Sequence, residues 1–366
     1  MKVALVVPGG VDRSGEVRVV PALLALLKRL SERHEVHVFA LRQDVLPGRW
    51  HLCGAHVHNV GGRRVAQAQL RAVAAIVREH RLGRFDLVQA IWSGPCGSTA
   101  VAAAKLLGLP CAVHVAGGEL VALGDIGYGG RIGLRGRWRE AWVLRGADVL
   151  TAASRPVLDQ LAALGHSGRR LPLGVDLDLW PPCEPRPRQP GEGLRLVQVA
   201  SLNRVKDQTC LLQALARLPG AVLDLIGEDT LGGAMQALAA RLGVASRVRF
   251  HGFMTQAQLQ PVLARAHLHV ITSRHEAGPL AVLEAAVLGV PSVGTAVGHL
   301  AEWAPDAALV VAPGDAAGLA GLIARIDADE ELRLRLAREA QRRAVAEDAD
   351  HCHGQFERLH AELLGR

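Results

Sequence analysis

The sequence predicts an α/β protein of two domains. Short apolar runs of strand length alternate with longer segments whose apolar residues recur at helical spacing. The alternation is interrupted once, at Pro181, Pro182, Pro185, Pro187 and Pro190, a stiff run unsuited to a core, and then restarts. A chain of 366 residues that is 49% apolar and 21% charged is long and apolar enough to bury two cores.

In the first half, Val3-Ala4-Leu5-Val6-Val7 reads as a buried strand, followed by Pro8-Gly9-Gly10 and a loop to Gly15. A helix from about Val17 to Leu30 carries Val20, Leu23, Leu24 and Leu27 on one face and leads into a strand over Val36-His37-Val38-Phe39. This βαβ opening lacks the G-x-G-x-x-G of a dinucleotide-binding turn. Gly127-Tyr128-Gly129 neither follows a strand nor has the third glycine, so a nicotinamide enzyme loses its main support. A helix near Val65–His80, a strand at Leu87–Ala90, a small-residue helix near Gly97–Leu107 and a strand at Cys111–Val115 continue the alternation. That strand runs into Ala116-Gly117-Gly118-Glu119. Ligands of open α/β sheets collect beyond the carboxyl ends of strands, so His114 and Glu119 stand where chemistry can occur. His114 can equally be a satisfied core histidine. Leu120–Gly136, rich in Gly with Arg131 and Arg135, reads as a mobile loop of the kind that contacts a variable substrate. A strand at Val149–Ala152 and a helix from Ser154 complete this half.

The second half restarts with a strand at Leu196–Val199, a loop from Ala200 to Asp207 and a helix carrying Leu211, Leu212 and Leu215. A strand at Val222–Ile226 runs into Gly227, another near Val248–Phe250 turns at Gly252, and Thr255 with Gln258 fits a capping box. His269-Val270-Ile271 then ends in a polar loop carrying Glu276. Gly278-Pro279 opens a helix with Leu280, Leu283, Ala286 and Val287 on its apolar face and Glu284 inside it. The unpaired N–H groups and positive dipole end of that helix make a ready phosphate site. Both carboxylates suit hydroxyls rather than phosphate. A ligand with a diphosphate between two sugar rings satisfies the arrangement, although two glutamates at this spacing can also decorate a solvated helix. Beyond Asp315 the chain reads as helices.

The stretch Val270–Trp303, with Glu276 and Glu284 eight positions apart, resembles the E-x7-E signature of retaining GT-B glycosyltransferases of family 4, a family that includes sucrose synthases and bacterial mannosyltransferases. The resemblance runs over the whole chain and is strongest over Val197–Asp315. It implies two Rossmann-like domains facing a cleft. Residues 1–176 would form the acceptor side, 177–193 a linker entered through Gly174-Val175-Asp176, and 194–349 the nucleotide-sugar side. A last helix over about 350–366 would return to the first domain. The reaction implied is transfer of a hexosyl group from a nucleotide diphosphate sugar to an acceptor hydroxyl, with retention, in bacterial polysaccharide, glycolipid or other glycoconjugate synthesis. Carried over residue by residue, Glu276 lies by the donor sugar, Glu284 binds the ribose and His114 touches the sugar from the opposite wall. Gly227 and Gly252 border the base. Gly278, Pro279 and Leu280 bring the helix start to the donor, while Gly9, Gly10 and Gly15, with Glu119, stand by donor phosphate or acceptor. For the first-loop glycines a plain tight turn is the alternative. Lys206 matches the family's diphosphate-gripping lysine, a point charge able to neutralise the leaving group. The family's arginine five positions earlier is Ser201 here, so either Arg204 supplies the charge from a different place or the donor phosphates are held by fewer contacts, and His299 stands where a second glycine is usual.

Composition narrows the partners. Six scattered cysteines without a CxxC argue against a disulfide framework or a zinc site, and the members of His351-Cys352-His353 would point to different sides of a helix. No Asp-x-Asp pair reads as a metal motif, so no metal and no cofactor beyond the co-substrate are expected. Val3–Val7 is too short for a signal peptide, and Val19–Leu27, interrupted by Pro21, is too short for a span, which makes a soluble cytoplasmic protein the expectation. The first 180 residues carry 23 Lys+Arg against 14 Asp+Glu and the remainder 19 against 21. That basic first half suits peripheral contact with the inner membrane face, a lipid-linked or glycan acceptor, or simply an Arg-rich composition. With aromatics at 3%, nucleic acid is not expected. Two further readings stay open: a non-catalytic sugar-nucleotide sensor or partner subunit, kept alive by Ser201, and another GT-B enzyme such as an epimerase. A phosphorylase would need a pyridoxal lysine, and the second half offers only Lys206.

Overall fold

The computed structural model describes residues 1–189 and 191–365; Pro190 of the Pro-rich run and Arg366 lie outside the described residues. The chain divides into two units, Met1–Gly174 with Ala349–Arg366, and Val175–Asp348.

The first unit begins β1 (Lys2–Val7), α1 (Pro21–Ser31), β2 (Glu35–Ala40), β3 (Gly48–Leu52), β4 (Ala55–Asn59) and α2 (Val65–Leu82). It continues β5 (Leu87–Ile91), α3 (Ser98–Leu107), β6 (Cys111–Val115), α4 (Leu134–Gly146), β7 (Val149–Ala152), α5 (Arg155–Ala163) and β8 (Arg169–Arg170). The sheet order is β3-β4-β2-β1-β5-β6-β7-β8, parallel except for the edge strand β3. Near-continuous apolar runs such as β1, buried from Val3 to Val7, are what a parallel sheet covered on both faces requires.

The second unit runs β9 (Arg195–Val199), α6 (Gln208–Leu215), β10 (Val222–Ile226), α7 (Ala234–Arg241), β11 (Val248–Gly252), α8 (Gln256–Leu263) and β12 (Leu268–Ile271). It ends with α9 (Leu280–Val287), β13 (Ser292–Thr295), α10 (Gly298–Trp303), β14 (Ala308–Val311), α11 (Ala316–Ala328) and α12 (Glu330–Ala346). Its sheet, β11-β10-β9-β12-β13-β14, is all parallel. The last helix, α13 (Ala349–Leu363), belongs to the first unit. There Phe356 and Leu359 pack with Leu23, Leu27 and Leu30 of α1, and His360 Nε2 meets Gln89 Oε1 at 2.7 Å.

Three local expectations change, and one element had no expectation. The helix expected from Val17 starts only at Pro21, because Arg18 is left-handed (φ 51°), Val19 bridges Val11 and Val20 is the extended residue before the helix. The hairpin β3–β4 had no usual spelling: its two-residue turn is Cys53-Gly54, both at positive φ (50° and 80°), where Asn-Gly or Asp-Gly is the common signal. The glycine-rich stretch after Glu119 is a packed fold rather than a loose loop. Leu123 and Tyr128 pair across a small hairpin, and added Cβ atoms at Gly129, Gly130 and Gly136 would meet backbone oxygens at 2.2, 2.4 and 2.1 Å. Its end already belongs to α4. Finally, the Pro-rich run does not stand clear of a core. Trp180 is buried among the second unit's apolar residues, Cys183 N bonds Val287 O at 3.0 Å, and Arg188 clasps Glu330 and Asp327.

Candidate active site

In a doubly wound sheet, ligands bind where the strand order reverses, because the loops leaving two neighbouring strands part there. In the second unit the reversal falls between β9 and β12. The loop after β9 carries Lys206 and the loop after β12 carries Glu276. Lys206 Nζ donates to Glu276 Oε1 at 2.5 Å, and Ser273 Oγ donates to the same oxygen at 2.5 Å. A polar brace holds the two loops together. Gln208 Nε2 bonds Gln198 Oε1 at 3.0 Å, Gln198 Nε2 bonds Thr272 Oγ1 at 2.9 Å, Thr272 Oγ1 donates to Lys206 O at 2.8 Å, and Arg274 N donates to Val205 O at 2.7 Å. The ion pair is therefore mounted on a fixed frame rather than on free side chains.

Pro279 is the extended residue before α9 and offers no side-chain cap, so Leu280 leads a helix start whose N–H groups have no side-chain acceptor. Gly278 precedes it in the same loop. Gly298 is the tight neighbour: at φ 49° an added Cβ would meet Pro279 Cδ at 2.7 Å and Glu276 Cβ at 3.2 Å. Close backbone approach thus occurs at Gly298, although His299 replaces a glycine beside it. Glu284 is buried inside α9, and desolvation pushes its carboxyl up to about 8, so it carries its proton at neutral pH. Gly227, at φ 146°, brings the β10 loop within a Cβ's clash of Ala200 O, 2.2 Å away, whereas Gly252 is open around its Cα. Arg204 is exposed with no ion-pair partner among the described residues, which leaves its guanidinium available beside Lys206.

The first unit reverses between β1 and β5, and there a cavity of about 680 Å³ opens. Pro8, Trp92, Tyr128, Arg42, Arg139 and Glu119 line it, with Gly117, Gly118 and Gly129 in its floor. Trp92 is held at φ 76° at the end of β5, and an added Cβ on Gly118 would meet the Tyr128 ring at 2.5 Å, so that ring lies against the glycine. Glu119 accepts from Ser93 N at 3.0 Å and Gly117 N at 2.7 Å; burial pushes it up to about 7. Ser93 Oγ also donates to Glu140, fully buried at 2.8 Å, whose carboxyl burial likewise raises.

His114 is corrected: it lies in the core, fully buried on β6 between Thr151 Oγ1 (2.9 Å) and the Phe356 ring (6.0 Å), and does not line this cavity. Burial pushes it down to about 4. Gly9, Gly10 and Gly15 also stand back from it. Gly10 (φ 78°) packs on Val20 and Gly15 N bonds Asp12 O at 3.0 Å, so they shape a turn whose Pro8 alone reaches the cavity. Trp92, Arg139 and Glu140 carried no motif; Tyr128, the single tyrosine of the chain in a glycine-rich stretch, was the one visible signal.

Two parallel-sheet α/β units of this kind define the GT-B class of fold. One family model, described as Glycosyltransferase Family 4, matches residues 19–179, and a second, Glycosyl transferases group 1, matches residues 185–343. The chain belongs to the GT-B glycosyltransferases of family 4 type. Among curated proteins it is 31% identical over 216 residues to glycogen synthase of Mycobacterium tuberculosis H37Rv, covering 57% of this chain and 52% of that one. It is 40% identical over 129 residues to the lipopolysaccharide core glycosyltransferase LpsE of Rhizobium meliloti, covering 35% and 37%. The matches thus span about half or less of these relatives. Among solved structures, sucrose-phosphate synthase of Thermosynechococcus elongatus superposes over the full length of both chains with TM-score 0.83 at 19% identity. Anabaena HepE in complex with UDP-glucose covers 100% of this chain and 99% of its own, with TM-score 0.76 at 20% identity. These likenesses show the fold. No helix among the described residues is long and apolar enough to cross a membrane.

Proposed function

We propose that the chain transfers a hexosyl group from a nucleotide diphosphate sugar to an acceptor hydroxyl, with retention and without a metal at the donor. The observation that carries this reading is the Lys206–Glu276 pair at the strand-order reversal of the second sheet. A diphosphate entering there takes Lys206 as its counter-charge, helped by Arg204 and the bare N–H groups at the start of α9. Glu276, released from the lysine, then accepts from a donor-sugar hydroxyl. Glu284, carrying its proton, meets the ribose hydroxyls as donor and acceptor. The stabilised leaving group is the diphosphate itself.

The cavity of the first unit supplies the acceptor side. Trp92 and Tyr128 offer flat apolar faces with polar edges, and Glu119 offers a carboxyl to hydroxyls. An acceptor sugar fits that chemistry better than a lipid tail does. The glycan-building names of the relatives support the same direction, and HepE's complex with UDP-glucose makes a uridine donor the first to test.

The test is a thermal-shift screen with UDP-, GDP-, ADP- and TDP-sugars, NAD(H) as control and EDTA present. A donor at 100 times its dissociation constant stabilises the fold by about 2.7 kcal/mol, so one nucleotide series should raise Tm clearly. A shift with NAD(H) alone, or with none, would remove the donor-site reading. Slow hydrolysis of the bound donor then separates an enzyme from a sensor, the reading that Ser201 keeps open.

A further inference from the structure

Away from both candidate subsites, the edge of the first sheet gathers His37 on β2, His58 on β4 and Glu79 on α2, all buried, with one ligand atom from each lying within 4.8 Å of the others. From this geometry we propose a divalent transition-metal site in which His37 Nδ1, His58 Nε2 and a Glu79 carboxylate oxygen hold the ion, suited to zinc or a similar borderline ion.

Hydrogen bonding fixes the tautomers. Glu35 accepts from His37 Nε2 at 2.9 Å, so that nitrogen carries the proton and Nδ1 is a bare lone pair. A carboxylate on the far nitrogen is the usual outer partner of a metal-binding histidine, fixing the ring and raising its basicity. Nδ1 faces His58 Nε2 at 2.9 Å. The rings lie within 15° of parallel with centroids 5.1 Å apart, so the two nitrogens face each other across a short gap. Zinc–nitrogen bonds of about 2.0–2.1 Å at a tetrahedral angle need the nitrogens roughly 0.4 Å further apart. A small ring rotation supplies that.

Without an ion, His58 Nε2 must donate to His37, which leaves His58 Nδ1 buried with no hydrogen-bond partner. Metal binding moves the proton from Nε2 to Nδ1 and gives Nε2 to the ion, while Nδ1 has no hydrogen-bond partner in either state. On Glu79 both arginine hydrogen bonds, from Arg49 at 2.7 Å and Arg78 at 3.1 Å, fall on Oε1. Oε2 carries none. A fourth position opens to the cavity of about 640 Å³ that His58, Arg49 and Arg78 line, and a water or small anion there would offset the two guanidiniums. The neighbouring trio of Glu35, His37 and His56 is the weaker alternative, since Glu35 is exposed and His56 only half-buried there, whereas all three members of the favoured set are buried.

The test is titration of metal-stripped full-length protein with Co²⁺, read as visible absorption of a four-coordinate site, and with Zn²⁺ by calorimetry. One equivalent should bind, lost in His58→Ala and weakened at least tenfold in Glu79→Gln, while His351→Ala, on α13, binds like the parent. Glu35→Gln, altering a half-exposed outer partner, should weaken binding 10–100-fold without threatening the fold, and it decides the matter should His58→Ala not fold. Binding that survives in Glu35→Gln and Glu79→Gln unchanged, or no stoichiometric binding by the parent, overturns the site. Donor binding in EDTA is read separately, so neither result bears on the other.

Discussion

The two units solve the same topological problem with opposite chemistry. At its strand-order reversal the second unit places a lysine and a glutamate in contact on braced loops, while the first leaves a cavity walled by Trp92 and Tyr128 beside Glu119, whose carboxyl burial pushes up to about 7. A ligand with fixed charge, such as a diphosphate, is best met by fixed counter-charge. A partner made of hydroxyls is best met by flat surfaces and neutral hydrogen-bonding groups, whose desolvation is cheaper than that of an ion. Substitutions can break this contrast from either side.

The largest effect is expected at Glu276→Gln: kcat falling about 10²–10³-fold with nucleotide affinity within twofold, because the lost charge acts on the sugar in the transition state. Equal loss of free-nucleotide binding would move Glu276 to the base or phosphate. Lys206→Ala should lower kcat/KM by about 1.5–3 kcal/mol, the range for a hydrogen bond to a charged group, and the double variant should lose less than the sum, since each single change strands its partner. Turnover within twofold of the parent would take Lys206 out of the site. Glu119→Gln should raise the acceptor KM by about tenfold, one hydrogen bond's worth, and leave donor-induced thermal shifts untouched. An altered donor shift would erase the division of labour between the units.

The smallest effect is on stability and concerns Glu284. Unfolded, its carboxyl ionises near 4.5; folded, it keeps its proton up to about 8. The folded state is therefore favoured most below 4.5 and loses ground as the pH rises towards 8. Glu284→Gln removes that dependence, so its Tm relative to the parent should climb across the same window. A constant difference would mean the carboxyl is ionised in the fold.

The second unit was the more legible. Its strands at Val222–Ile226 and around Val270, the Thr255–Gln258 capping box and the Glu276 loop were all visible because periodicity and turn residues agree there. What could not be read was pairing across distance: that Lys206 and Glu276, 70 positions apart, share a hydrogen bond depends on strand order. In the first unit His114 misled because a polar residue near a strand end reads alike whether it faces a ligand or α13. Trp92 was invisible because its positive φ comes from the tight turn after β5 and not from a glycine.

The return of α13 to the first unit has a consequence during synthesis. Phe356 and Leu359 complete a core whose other members lie before residue 174, and the 174 residues of Val175–Asp348 are translated in between. At 5–20 residues per second that is a wait of roughly 10–35 s, during which α1 holds an uncovered apolar stripe outside the ribosome. The second unit, continuous in sequence, has everything it needs sooner. The part of the chain made first is the part that finishes folding last.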